Sequence, residues 1–449
     1  MRMEEYLTKV TEQIRCQKAR ELVVDELKDH ILEQAEAYET EGMEESEALE
    51  QAVRQMGDPV ETGVSLDRVH RPKMSWSMLG LTAVISLLSL AVHAALIGSG
   101  EASRMGLYYF RNDVTFTLLG YALMLLVYRM DYSILSRYAR WMAAGMLLLL
   151  VLGSHFLGVE VHGMVRYIRV GLFTMSISTL MYLYVPVFGG ILYQYRGEGY
   201  RALGKIFLWA AAPVLMAFKM PSLNLAIILC WTFTGMFCIA VWKGWYQIHK
   251  KRDLVILGVG ILALPALLWM LLSTGQWAPY QIDRVRAFLS GNPDYDYYGQ
   301  VSREFLSGSR LLGQGTGNAL QLSERLPGYN MDYILVSLIS LYGVLAGALA
   351  LLLLAFLFMK IFKISVRQKN QLGLVTGCGC GILFFIQLVL CLGVTFSLCP
   401  STSVTLPFFS YGGSATVVSY MLLGLVLSIY RHKDILPEKP AKKVMEIAP

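Results

Sequence analysis

Over the first seventy residues, apolar positions recur at helical spacing among polar ones. Leu7, Val10 and Ile14 share one face, and Val24, Leu27, Ile31 and Ala35 share another. Gly42 and Gly57 interrupt the pattern, and Asp58-Pro59 marks a turn. This predicts three short amphipathic helices, a small docking bundle with no catalytic constellation. From residue 76 the pattern changes to apolar stretches, most long enough to cross a hydrocarbon core with ~20 helical residues. They are expected near 76–99, 114–129, 140–158, 172–195, 207–220, 222–243, 253–273, 332–359, 373–398 and 411–430. The short fifth meets the sixth at Pro221, as in a tight hairpin. The fold class is therefore all-α: a polytopic bundle of about ten transmembrane helices behind a small soluble helical domain. The expected divisions are 1–72, 73–432 and a tail at 433–449.

Composition agrees. Hydrophobic residues make up 55% of the chain and charged ones 16%, with mean hydropathy +0.48, too apolar for an ordinary soluble protein of 449 residues. The net charge of +6 describes neither part. Of 33 acids, 18 fall within residues 1–75, together with 10 of the 39 bases. The head is acidic and the body basic.

The basic residues sit in alternate loops. Arg129, Arg137 and Arg140 occupy the first, Arg196, Arg201 and Lys205 the second, and Lys243, Lys250, Lys251 and Arg252 the third. Lys360, Lys363, Arg367 and Lys369 occupy the fourth, and Arg431, Lys433, Lys439, Lys442 and Lys443 the tail. With the head inside, this matches the rule that cytoplasmic loops carry the Lys and Arg. Both termini are then cytoplasmic. The start is charged and amphipathic, unlike a cleavable signal peptide.

Candidate chemistry is sparse. The seven cysteines form no disulfide framework and have no His at zinc spacing; Cys378 and Cys380 read as small packing residues. No metal site is expected. The 15 acids beyond the head all lie in loops or near predicted span ends, which argues against a relay of buried carboxylates. Attention falls on the outer face. The stretch 274–331 is too long for a connector. It carries Arg284, Arg286, Arg303, Arg310 and Arg325 with Tyr295, Tyr297 and Tyr298. Arginine forks suit a pyrophosphate, although arginines also snorkel to lipid headgroups. Asp332 ends this stretch. It reads either as a helix N-cap or as a carboxylate at the lipid–water boundary, where partial desolvation favours general-base work. Gly163 to Gly171, with Arg166 and Arg169, reads as an outer loop along the interface. In the last outer loop, Pro400 and Pro407 forbid a regular helix, while Gly412 and Gly413 allow close approach or unusual dihedrals.

These segments together resemble the SEDS family (shape, elongation, division and sporulation) of RodA, FtsW and SpoVE. LPFFSYGGSA at 406–415, after Pro400 and Thr402, is similar to the family's PVTGxPLPFxSYGGSS. GQGTGNALQLSERLPGYNMDYIL, Gly313 to Leu335, resembles GxGxGNS…LPEAHTDFIF, with Asp332 on the aspartate. YQIDRVRAFLS at 280–290 resembles YQxxRxxxFL, and GMVRYIRVG at 163–171 resembles GARRWIxLG. The resemblance covers roughly 76–430. The head, through GMEESEALEQAVRQMGDP, resembles a permease-prefix type of domain, which implies regulation or docking.

The resemblance implies a peptidoglycan glycosyltransferase in a bacterial cytoplasmic membrane. Its substrate would be lipid II, an undecaprenyl-pyrophosphate-linked glycan. By position, Asp332 would be the general base, and Arg166, Arg284 and Arg286 would hold pyrophosphate. Pro407, Ser410, Tyr411, Gly412 and Gly413 would shape the cavity. A class B penicillin-binding protein transpeptidase is the implied partner, besides membrane lipids; no nucleic acid is expected. No cofactor is identified, and a divalent cation is left open. Several of the family's charged positions differ. Ser340 and Leu341 replace its acidic pair, Ser176 to Thr179 replace QPSE, Tyr182 replaces a lysine and Ser222 an aspartate; Tyr167 replaces a tryptophan. A non-catalytic scaffold or regulator and a flippase of lipid-linked precursors therefore stand as alternatives.

Overall fold

The computed structural model describes residues 1–97, 101–161, 164–171, 173–220, 222–253, 255, 258–260, 288, 297–400 and 402–433. Two compact units separate, one built on Met1–Met74 and one on Ser75–Ile429.

The first unit has four helices where three are expected: α1 (Met3–Gln13), α2 (Gln17–Thr40), α3 (Glu45–Gln55) and α4 (Pro59–His70). Ile14 and Cys16 take extended backbone and break the first stripe, and Arg20 Nε ties back to the Ile14 carbonyl at 2.6 Å. Tyr6, Val10, Ile14, Val23, Ile31, Ala35 and Val53 form the core. Asp58 caps α4 by accepting from the Val60 and Glu61 N–H groups, with Pro59 pre-set at the first helical position.

In the second unit, nine helices among the described residues have the length and apolarity to cross a membrane. In order these are α5 (Trp76–Ala95), α6 (Glu101–Arg129) and α7 (Ile134–Phe156); then, past a short helix α8 (Ile177–Leu180), α9 (Tyr184–Gln194), which together cross once. Next come α10 (Tyr200–Lys219) and α11 (Leu223–Trp242). Two short helices, α12 (Tyr297–Ser307) and α13 (Ala319–Arg325), lead to α14 (Ile334–Tyr342) and α15 (Val344–Val366). Finally come α16 (Gln371–Thr395) and α17 (Gly413–Arg431). The span expected at 253–273 lies almost wholly outside the described residues. The fifth span is not short, because its basic N-terminal turns join the helix.

Three expectations change. The interfacial loop at 163–171 is part of an antiparallel sheet, β1 (Gly158–Val161), β2 (Met164–Val170) and β3 (Phe173–Ser176), in the order β1-β2-β3. The fourth span therefore begins at Ile177, not 172. The eighth span is broken: Gly343, at φ 96°, separates the nine-residue α14 from α15, and only α15 is long enough to cross.

In lipid there is no hydrophobic drive between helices, so close packing by small residues holds the bundle. A Cβ on Gly190 of α9 would meet the Leu135 carbonyl of α7 at 2.6 Å, and one on Gly379 of α16 would meet Met236 of α11 at 2.6 Å. Cys378 and Cys380 are buried in this helix, and all seven cysteines are free thiols. At the α6–α17 contact, a Cβ on Gly424 would sit 2.5 Å from the Met124 carbonyl oxygen. Gly424→Ala is expected to overpack this contact by about 1–3 kcal/mol, read as a lowered thermal midpoint in detergent. An unchanged midpoint would show that the two backbones separate freely.

Candidate outer-face site

The segment that carries Asp332 is closed on itself. Asn318 caps α13 with a reciprocal capping box to Gln321. Beyond α13 the chain turns at Gly328, which takes φ 81°. The Met331 and Tyr333 N–H groups both donate to the Gly328 carbonyl, at 2.9 and 3.1 Å. Ser337 Oγ donates to the Tyr329 carbonyl at 2.7 Å. Asp332 lies half-buried in this turn. A methyl on Gly328 would stand 3.6 Å from Asp332 Oδ2, so the bare glycine face lies beneath the carboxylate. The N-cap of α14 is Tyr333, not Asp332, and it makes no side-chain cap bond. The short α14 that follows is buried along nearly its whole length.

The loop before α17 packs onto this turn. Ser410 Oγ donates to the Met331 carbonyl at 2.6 Å and accepts from the Leu406 N–H at 2.8 Å. The Tyr411 N–H donates to the Asn330 carbonyl at 2.9 Å. Ser410, Tyr411 and Pro407 are buried; Gly412 and Gly413 are half-buried. A Cβ on Gly413 would strike the Phe116 ring at 2.5 Å, whereas one on Gly412 would press on Ala415 Cβ at 3.3 Å. Neither takes a positive φ; Phe408 does, at φ 64°, as does Ser397 nearer the end of α16, at φ 55°. The Phe408 ring is held by Phe384 and Tyr420, at centroid distances of 5.3 and 5.4 Å. Strain of this kind persists only where surroundings over-determine it.

Ser410→Ala would leave the Leu406 N–H and free the Met331 carbonyl. The expected cost is about 1–3 kcal/mol of local stability. It should appear as faster amide exchange across 404–412 and 328–333, with activity falling below the folded fraction. Unaltered exchange would show that the hydroxyl does not clamp the turn.

Arg166 lies half-buried on β2. Its neighbour Tyr167 pairs with Ser176, whose N–H donates to Ser414 Oγ at 3.2 Å. The sheet thus joins the end of the same loop. Arg284 and Arg286 lie outside the described residues. Arg325, expected among phosphate-binding candidates, is instead committed to a bidentate pair with Glu304, which draws that carboxyl below its usual range. Burial pushes the phenols of Tyr329 and Tyr411 upward, so both remain hydroxyls near neutral pH.

A second correction concerns the acids. Asp113, one residue before the expected start of the second span at 114, lies inside α6 and is buried, 3.2 Å from His93 Nδ1 of α5. Sequence reasoning missed this because α6 extends thirteen residues further toward its N-terminus than the expected 114. One signal was present: Thr82, Ser86, Ser89 and His93 recur on one face of an otherwise apolar span, and all four are buried.

Comparison with known proteins agrees with this architecture. The FtsW/RodA/SpoVE family, described as cell cycle protein, matches residues 72–435. A probable peptidoglycan glycosyltransferase FtsW of Coxiella burnetii is 24% identical over 373 residues, 79% of this chain and 95% of that protein. The FtsW of Enterococcus hirae, of the same description, is 25% identical, covering 80% of this chain and 92% of that one. Among solved structures, one described as structural coordination of polymerization and crosslinking by a peptidoglycan synthase complex has TM-score 0.64. It is 21% identical and covers 80% of this chain and 98% of that one. Thermus thermophilus RodA has TM-score 0.57 at 18% identity, covering 80% of this chain and 97% of its own. A match over four fifths of the length places this multi-pass membrane protein in the FtsW/RodA/SpoVE family of cell cycle proteins.

Proposed function

We propose that the chain is a peptidoglycan glycosyltransferase that polymerises lipid II at the outer face of the cytoplasmic membrane. One observation carries the reading: Ser410 and Tyr411 bind the carbonyls of Met331 and Asn330, so two motifs about eighty residues apart converge on the turn that presents Asp332. The names of the FtsW relatives support the same chemistry. In this reading the acceptor 4-hydroxyl attacks the anomeric carbon of the lipid-linked glycan. The bond from that carbon to pyrophosphate breaks, undecaprenyl pyrophosphate leaves, and Asp332 takes the hydroxyl proton. Arg166, with Arg284 and Arg286, would hold the leaving diphosphate. Positioning and fixed charge at a half-dry boundary are enough to drive such a transfer.

The acidic unit at the N-terminus then acts as a cytoplasmic docking or regulatory module, with both termini inside. A class B penicillin-binding protein is the partner this chemistry calls for, since glycan strands need crosslinking. The test is conversion of lipid II to glycan by the purified full chain, with Asp332→Asn alongside. The same assay with a chelator decides whether a divalent cation takes part. No product from the wild type would overturn the reading.

A non-catalytic scaffold is favoured by one observation. Ser340 and Leu341 stand where an acidic pair is expected, and Ser340 Oγ is buried without a hydrogen-bond partner among the described residues. Under that reading, cells carrying Asp332→Ala grow normally while deletion of the chain disturbs the wall.

A further inference from the structure

We propose that His93 and Asp113 form a buried imidazolium–carboxylate pair that positions the Asn330–Asp332 turn; this rests on the role of Asp332 given above. Both side chains are almost fully enclosed, at 2% and 5% exposure. Both His93 ring nitrogens face oxygen acceptors. Nδ1 lies 2.9 Å from the Ser89 carbonyl, 3.2 Å from Asp113 Oδ2 and 3.4 Å from Ser89 Oγ. Nε2 lies 3.4 Å from the Asn330 carbonyl. A neutral imidazole donates from one nitrogen only, and its other lone pair would then point at a carbonyl oxygen or a carboxylate. The doubly protonated ring donates from both sides. Asp113 supplies the counter-charge at 3.2 Å, and its Oδ2 makes no hydrogen bond among the described residues.

Among the described residues, the other titratable groups packed near the pair are phenols. The Tyr411 ring stands 6.4 Å from the His93 ring and receives the Asn112 amide at its hydroxyl, at 3.5 Å. Tyr109 packs on Tyr411 edge to face, and Tyr420 feels the Asp113 charge from α17. Phenols are uncharged near neutral pH.

The consequence is geometric. The Asn330 carbonyl receives two donors, the Tyr411 N–H from the loop and His93 Nε2 from α5. That carbonyl is two residues from Asp332. Ser89 Oγ donates to the Phe409 carbonyl at 2.9 Å, so the same face of α5 also holds the loop. Removing either charge leaves the other buried and unpaired and loosens one of the two ties on the Asn330 carbonyl. Ionisable side chains within a membrane span are costly and are retained at working sites.

The experiment compares Asp113→Asn, His93→Gln and the apolar double variant His93→Leu/Asp113→Leu with the wild type, using the full chain in detergent. Single variants are expected to lower both the thermal midpoint and kcat. The double variant removes both charges, so its midpoint should return toward wild type. Its kcat should stay about 10²-fold down with KM unchanged, the size of a small misplacement of a reacting group. Independently of activity, amides of 326–333 in the double variant should exchange faster while α9 and α16 stay protected. A double variant with wild-type kcat and wild-type exchange at 326–333 would make the pair merely structural and overturn the proposal. A wild type without lipid II activity would instead sink the enzymatic reading, and the exchange result would still decide whether the pair holds the turn.

Discussion

Asp332→Asn is expected to lower kcat for lipid II polymerisation by about 10²–10⁴-fold, with KM and the thermal midpoint close to wild type. That corresponds to about 3–5 kcal/mol of transition-state stabilisation. The substitution keeps the shape of the side chain and removes its ability to take a proton. The turn itself is closed by backbone bonds to Gly328 and by Ser337 and Ser410, none of which needs the carboxylate. The N-cap of α14 is Tyr333, one residue beyond Asp332. Loss of activity with intact folding therefore separates a base from a structural carboxylate. The measurement is the initial rate of glycan formation across substrate concentration, with unfolding followed on the same samples. An Asn variant that keeps more than a tenth of wild-type kcat would remove Asp332 from the reaction.

Gly343→Ala is expected to destabilise the second unit by on the order of 2–6 kcal/mol. Two costs add. The residue holds φ 96° and ψ 169°, a region almost closed to side chains. A Cβ there would also meet only backbone: the Leu311 carbonyl at 2.7 Å, Leu312 Cα at 2.9 Å and the Arg310 carbonyl at 3.0 Å. None of these is the end of a flexible side chain, so a segment must move. That segment is stitched across the helix break. Val344 and Leu345 donate to the Arg310 and Leu311 carbonyls, while Gly313 and Gly315 donate to Tyr342 and Ser340. Because α14 carries the Asp332 turn at its other end, activity should fall with stability. Thermal unfolding in detergent reads the first effect and glycan formation the second. A variant with an unchanged midpoint would mean that the break is not held by its contact with residues 310–315.

Much of this architecture is legible in the residue order. Long apolar runs have to become helices in lipid because no other backbone arrangement satisfies its own hydrogen bonds there. The acidic head, the basic alternate loops and the proline-bounded loop at 400–413 follow from composition and from proline's missing N–H. Even the choice of Asp332 came from its place after an outer stretch rich in arginine and from a resemblance over several motifs. What hydropathy could not register was any feature in which apolarity continued while geometry changed. The run 332–359 is apolar throughout, so nothing in it distinguishes one span from the short α14, a turn at Gly343 and α15. The strands at 158–176 are too short and irregular in pattern to stand out from a loop. Asp113 lay just outside the apolar count, yet tertiary contact places it within a helix.

The division follows from physics. Hydrophobic length, charge asymmetry and backbone-limiting residues act locally, so the residue order alone determined a membrane bundle behind an acidic helical head. The pairings that make a site are long-range: Ser410 with Met331, Tyr411 with Asn330, His93 with Asp113. They depend on how buried polar groups find partners once the helices pack. Only the tertiary structure decided that the Asp332 turn is clamped from both sides, because each donor and acceptor is matched across distances that no sequence pattern records.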